Sequence, residues 1–240
     1  MMVRESRKEN YSFAAMSEAG ASHQDLSLPN QDSVAFAEAD GDYVVVASDG
    51  VGSCKLAHVG SKAVVDACCH VFDSLKCGSL SFDSKSVSQA ILEKWRKLIV
   101  GLSEDDCCAT LQAAFKLGSQ LMFLSVGDGF WAYSSSSRQL VSECGEMAFL
   151  NETECLYSGL TAEGIRADII SLRNDDSYVV LCCTDGFANG IEEGKELDFL
   201  REIETDVDSE ALASELESFM KMISKCSLDD KSVGVVKYGK

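Results

Sequence analysis

Aspartate recurs at one kind of place in this sequence. Asp32 follows Asn30-Gln31, and Asp49 closes the apolar run Val44 to Ser48 ahead of Gly50-Val51-Gly52-Ser53. Asp128 stands between Gly127 and Gly129 after Leu121 to Val126, and Asp185 between Thr184 and Gly186 after Tyr178 to Cys183. Asp229-Asp230 precedes the apolar run Ser232 to Tyr238. Each one alone reads as turn chemistry, because Asp caps a turn and Gly permits positive φ. Together they say more. If these strand ends converge, four or more carboxylates share one cleft. Two such charges about 4 Å apart repel by about 4 kcal/mol at an effective dielectric near 20. A cluster of this kind persists only with cations or with shifted pKa values. Carboxylates without paired His or Cys suit hard ions such as Mg²⁺ or Mn²⁺ rather than zinc.

The elements that must position these residues are legible in the periodicity. Tyr11 to Met16 predicts a first strand, and Asp42 to Ser48 a buried one rich in valine. Val59, Ala63, Ala67, Val71 and Leu75 recur every four residues and predict a helix beginning near His58, with His70 on its packed face. Val87 to Leu102 predicts a second helix carrying Ile91, Trp95, Leu98 and Leu102 on one face. Cys108 to Phe115, Gln120 to Val126 and Phe130 to Tyr133 then read as strands, with a hairpin turn at Leu117-Gly118-Ser119. Ala167 to Leu172 and Tyr178 to Cys183 read as a strand pair around Asn174-Asp175-Asp176. Leu212, Leu216, Phe219 and Ile223 mark a late helix, and Ser232 to Tyr238 a last strand. Strands in runs and helices in pairs favour antiparallel sheet with helices packed outside it. No repeat or linker divides the chain, so residues 1–240 are expected to form a single domain.

Composition narrows the class. Against 39 Asp and Glu stand 21 Lys and Arg, a formal net charge of -18, which repels phosphate backbones and anionic lipid. Neither nucleic acid nor membrane is therefore an expected partner. Carboxylates such as Glu192-Glu193 and Asp206 to Glu210 read as a solvated face. The 11 cysteines include adjacent pairs at Cys68-Cys69, Cys107-Cys108 and Cys182-Cys183 inside apolar segments, with no C-x-x-C spacing. They read as reduced packing residues. Met1 to Asn10 is charged and lacks a signal-peptide core, and no apolar stretch approaches the ~18 residues of a membrane span. A cytoplasmic location is expected.

Six short motifs in register now resemble a family. Gln31-Asp32-Ser33, Asp49-Gly50-Val51-Gly52-Ser53, Ala109-Thr110-Leu111, Gly127-Asp128-Gly129, Thr184-Asp185-Gly186 and Asp229-Asp230-Lys231-Ser232 occur in the order of the metal-dependent, type 2C serine/threonine protein phosphatases. Gly20-Ala21-Ser22-His23 with Pro29-Asn30-Gln31-Asp32, and Gly145-Glu146 before Asn151-Glu152-Thr153, are similar to the bacterial branch. The resemblance spans about residues 11–238 and implies an α+β fold, an α-β-β-α sandwich of two antiparallel sheets flanked by helices. It implies hydrolysis of phosphoserine or phosphothreonine by a hydroxide bridging two Mn²⁺ or Mg²⁺ ions. Carried over by position, Asp49 bridges the ions, Gly50 offers its carbonyl, Asp185 and Asp229 hold the second ion, and Asp32 orients bound water. Asp105 matches the position that supplies a third ion in many members, and Asp128 reads as structural. A phosphorylated protein is the implied substrate, and an opposing protein kinase the implied partner by analogy.

Two departures stand out. Gly20 to Asp32 holds no arginine to grip phosphate, which leaves His23 as the nearest cation. Val51 occupies the place of a histidine that many eukaryotic members use as a general acid, so His23 or a metal-bound water must take that part. The alternative to an active phosphatase is a catalytically silent, phosphatase-like binding or regulatory module. A non-catalytic acidic metal-binding protein is a third reading.

Overall fold

The computed structural model describes residues 2–6, 11–26, 28–142, 154–173, 177–203, 209–225 and 227–239. Gly145-Glu146, Asn151 to Thr153, the turn at Asn174 to Asp176 and the acidic run Asp206 to Asp208 lie outside them. Among the described residues one sheet has six strands: β1 (Met2–Ser6), β2 (Tyr11–Glu18), β7 (Phe130–Ser135), β8 (Gln139–Val141), β10 (Tyr178–Cys183) and β11 (Lys231–Tyr238), in the order β1-β2-β11-β10-β7-β8. The other has five: β3 (Ser33–Ala39), β4 (Asp42–Ser48), β5 (Leu111–Leu117), β6 (Gln120–Val126) and β9 (Arg166–Ser171), in the order β3-β4-β5-β6-β9. Every pairing is antiparallel.

The two sheets face each other, and helices cover both outer faces. Side chains alternate across a strand, so a strand buried on both faces must be apolar at nearly every position. In β4, Val44 and Val46 pack under α2 (Ala57–Lys76) and α3 (Ser84–Leu98), with Val64, Cys68, Ile91 and Trp95. Tyr43, Val45 and Ala47 point the other way, toward Phe13, Phe123, Trp131 and Val180 between the sheets. In β10, Leu181 and Cys183 pack against α4 (Asp185–Ala188), α5 (Glu196–Ile203) and α6 (Ser209–Ile223), through Phe187, Leu200, Leu212 and Leu216. Cys182 joins the inter-sheet core instead. The pair Cys182-Cys183 is thus divided between two apolar layers, which agrees with packing cysteines.

Several sequence expectations need correction. The stretches read as a pair around residue 175 lie in different sheets: β9 pairs with β6, and β10 with β7 and β11. Leu98 and Leu102 are exposed, and Leu92 and Ile99 take the inner face of the second helical stretch, which ends at Leu98. His70 is exposed rather than packed. The strand expected from Cys108 begins at Leu111. Sequence periodicity also passed over β3, the short α1 (Ala21–Leu26), α4 and α5. The hairpin at Gly118 is where it was expected, with Leu117 paired to Gln120 and Gly118 at a φ of 57°.

Candidate functional site

Register brings the first two aspartates together. Ser33 pairs with Ser48, so Asp32 just before β3 and Asp49 just after β4 meet at the same sheet end. Thr110 fixes Asp49: its Oγ1 accepts the Asp49 N–H at 2.9 Å, and its own N–H donates to the Asp49 carbonyl at 2.7 Å. The Ala109-Thr110-Leu111 motif is thereby a backbone clamp. Gly50 N–H donates to the Gln31 carbonyl at 3.1 Å, tying the two aspartate segments together. A Cβ on Gly50 would lie 2.4 Å from the Ala57 carbonyl oxygen, so only glycine lets this loop reach the start of α2.

The other sheet supplies the opposing carboxylates. Thr184 and Ser232 continue the β10–β11 ladder, with Thr184 N–H to Ser232 O at 3.0 Å and Ser232 N–H to Thr184 Oγ1 at 2.9 Å. The Thr184 hydroxyl then donates across the sandwich to Asp32 Oδ2 at 2.6 Å. Asp185 opens α4, where the Gly186 N–H donates to its Oδ1 at 2.6 Å. Asp229 is exposed beside it, and the buried Lys231 ammonium donates to the Asp229 carbonyl at 2.5 Å.

Electrostatics shows how close the carboxylates are. Burial, then the charges of Asp32 and Asp185, push Asp49 up to about 10, with Asp229 adding to the rise. Burial raises Asp32 to about 7, an effect the Thr184 hydroxyl and the neighbouring Asp49 carboxyl partly offset. Asp185 rises to about 6 through burial and the charge of Asp229, against the pull of the Gly186 N–H. Asp32 Oδ1 is buried with no hydrogen-bond partner. Among the described residues, no group of three or more His, Cys, Asp or Glu is already gathered so as to hold an ion. The donor set nevertheless fits a hard divalent cation: oxygen ligands, mutual repulsion, and a buried oxygen with nothing to bind. Ion binding would have to draw these carboxylates inward and displace their protons.

Asp105 is not drawn into this group. It sits in the 3-10 turn Glu104–Asp106, where its carboxylate accepts the Ser158 N–H at 3.1 Å, which holds it below the usual carboxylate range. Asp128 is exposed on its turn, near enough for its charge to reach Asp185. His23 in α1 is held by Asp230, its Nδ1 lying 2.8 Å from Asp230 Oδ2. Asp230 is the residue that sequence reasoning missed. It is 2% exposed, and it also accepts the Gly20 N–H at 2.7 Å and the Gln31 N–H at 2.6 Å. Its position beside Asp229 was the only signal, and two adjacent aspartates cannot be told apart by type. Val51, whose N–H donates to the Cys108 carbonyl, presents no titratable group to the site.

Comparison with known proteins places this fold in a family. The family described as Protein phosphatase 2C matches residues 19–221. The catalytic domain of the serine/threonine protein phosphatase PstP, solved with 2 manganese ions, shares the fold at a TM-score of 0.67 and 17% identity, over 96% of this chain and 99% of that one. RsbX in complex with magnesium aligns at 0.64 and 14% identity, over 99% and 100%. The S. agalactiae serine/threonine phosphatase aligns at 0.67 and 15%, over 96% and 100%. At identities this low the likeness is one of fold. No match was found among curated protein sequences.

Proposed function

The chain belongs to the protein phosphatase 2C family, and on that premise we propose that it hydrolyses phosphoserine and phosphothreonine in protein substrates with Mn²⁺ or Mg²⁺. The observation that carries the reading is the approach of Asp32, Asp185 and Asp229 to Asp49 at one end of the sandwich, close enough that their charges add to burial in raising the proton affinity of Asp49. Asp49, the Gly50 carbonyl, Asp185 and Asp229 would hold two ions; Asp105 would need to leave Ser158 to serve a third. Ions held there would acidify water near neutral pH and would supply positive charge for the phosphoryl oxygens.

The chain's own residues do the rest. Thr110 and Thr184 fix the backbones and carboxylates that face the substrate. Asp32, with one oxygen held by Thr184 and the other unpartnered, orients the attacking water. Asp230 holds His23 by Nδ1, which leaves Nε2 to grip phosphate or to protonate the leaving alkoxide. The acidic surface favours phosphopeptides of neutral or basic context, supplied by an opposing protein kinase.

The absence of arginine between Gly20 and Asp32 favours a second reading, a phosphatase-like module that binds and does not turn over. Hydrolysis of p-nitrophenyl phosphate and a phosphothreonine peptide separates the two. We expect Mn²⁺-dependent turnover that Asp185→Asn lowers by about 100-fold or more, since losing a group that only supports a metal ligand already costs about 10- to 100-fold. Absence of turnover on both substrates with Mn²⁺ would leave the binding module.

A further inference from the structure

A second cluster of reactive side chains lies behind the Asp49 loop. Among the described residues all nine cysteines are free thiols. Three of them, Cys54, Cys108 and Cys155, gather around the turn Glu104–Asp106. The Cys54 and Cys108 thiols both donate to the Asp105 carbonyl, at 3.3 and 3.4 Å, so one oxygen holds two sulfurs side by side. Ala109 bridges Leu156 antiparallel, which sets Cys108 and Cys155 diagonally on the same face of that short ladder. Burial and then the Cys155 thiol raise the proton affinity of Cys108. Cys54 and Cys155 are half-buried, while Cys108 is 8% exposed.

We propose that Cys54 and Cys108 close a reversible disulfide when the protein meets hydrogen peroxide. Cys54, the more accessible of the two, attacks as thiolate. A sulfur–oxygen bond forms as the peroxide bond breaks, giving a sulfenic acid and a hydroxide that takes up a proton and leaves as water. Cys108 then gives up its proton and attacks the Cys54 sulfur, expelling the second oxygen as water. Two thiols lose two electrons and two protons, and peroxide gains both. Forming that bond takes both sulfurs off the carbonyl they share.

The consequence runs through the backbone. Val51 N–H donates to the Cys108 carbonyl at 3.0 Å, and Cys54 N–H to the Val51 carbonyl at 2.8 Å. Thr110, two residues beyond Cys108, clamps Asp49. A bond between the sulfurs therefore shifts the loop that presents Asp49 and Gly50. Loss of hydrolysis on oxidation rests on the proposed phosphatase reading; the disulfide itself does not.

The test treats the full chain with hydrogen peroxide, blocks remaining thiols with N-ethylmaleimide and maps peptides without reduction. The expected result is a Cys54–Cys108 linked peptide, lighter by two hydrogens, abolished by dithiothreitol and absent from Cys54→Ser and Cys108→Ser. Mn²⁺-dependent hydrolysis should fall on oxidation in the wild type, recover with dithiothreitol, and resist peroxide in Cys54→Ser. Should Cys108→Ser fail to fold, the half-exposed Cys54→Ser carries the comparison alone. Blocked thiols at both Cys54 and Cys108 after treatment, or links only between other cysteines, would overturn the proposal. A link that forms in a protein with no hydrolysis, reduced or oxidised, keeps the disulfide and removes the phosphatase reading. A link that leaves hydrolysis unchanged removes the regulatory consequence.

Discussion

Asp49 concentrates the tension in this site. Burial, then the charge of Asp32, pushes its carboxyl up to about 10 from the ordinary 3.8. Between those values the folded chain binds a proton that the unfolded chain has released. Stability therefore falls as pH rises through this window. Asp49→Asn removes that penalty, and without metal it should be more stable than wild type by a few kcal/mol at pH 8, on the order set by ~1.4 kcal/mol per pKa unit. The gap should shrink at pH 5, and Mn²⁺ should no longer raise the variant's melting temperature. Urea unfolding at both pH values, with and without Mn²⁺, checks this; a variant less stable at pH 8 would contradict it. Asp230 carries the opposite expectation. Asp230→Ala strips the acceptor from the Gly20 and Gln31 N–H groups and from His23, at a cost of roughly 2–4 kcal/mol. Denaturant titration that finds less than ~1 kcal/mol would show the clamp to be weak. At this scale the sequence was legible where a strand end preceded glycine, as at Asp49 and Asp185. It was silent on which member of Asp229-Asp230 would be buried.

Elements bring the aspartates into range by close backbone contact. A Cβ on Gly186 would sit 1.8 Å from the Asp230 carbonyl oxygen, so only glycine lets α4 lie this close to the approach to β11. Gly186→Ala must push them apart, costing roughly 1–3 kcal/mol as overpacking against backbone and moving Asp185. The expected signature is a lower melting temperature together with weaker Mn²⁺ affinity by calorimetry; unchanged affinity would mean that Asp185 does not depend on this contact. Strands with dense β-branched runs, such as β4 and β10, could be read from sequence because both faces are buried. β3 could not, since Ser-Val-Ala-Phe-Ala-Glu-Ala lacks that density. Proximity in sequence also misled: β9 and β10 look like a hairpin, yet the chain crosses from one sheet to the other between them. Leu98 and Leu102 fit a helical stripe, but the helix ends before the stripe can continue inward.

At the scale of the molecule, two sheets share one apolar layer and each packs a second layer under helices. That arrangement gathers loops from both sheets at one end, which is why carboxylates distant in sequence perturb one another. The net charge of -18 now separates into this group at the sheet ends and exposed acids elsewhere such as Glu192 and Glu193. No helix among the described residues is long and apolar enough to cross a membrane. Antiparallel sheet with helices outside it was legible from strand and helix order, and the two-sheet sandwich from the family resemblance. The third-ion position was not, because only the folded turn shows Asp105 bonded to Ser158. The central claim is that the converging aspartates hold divalent ions, and a crystal grown in Mn²⁺ tests it most directly. Anomalous scattering should show manganese within coordination distance of Asp49 and Asp185; a well-ordered site with no such peak, or manganese bound only elsewhere, would contradict the account.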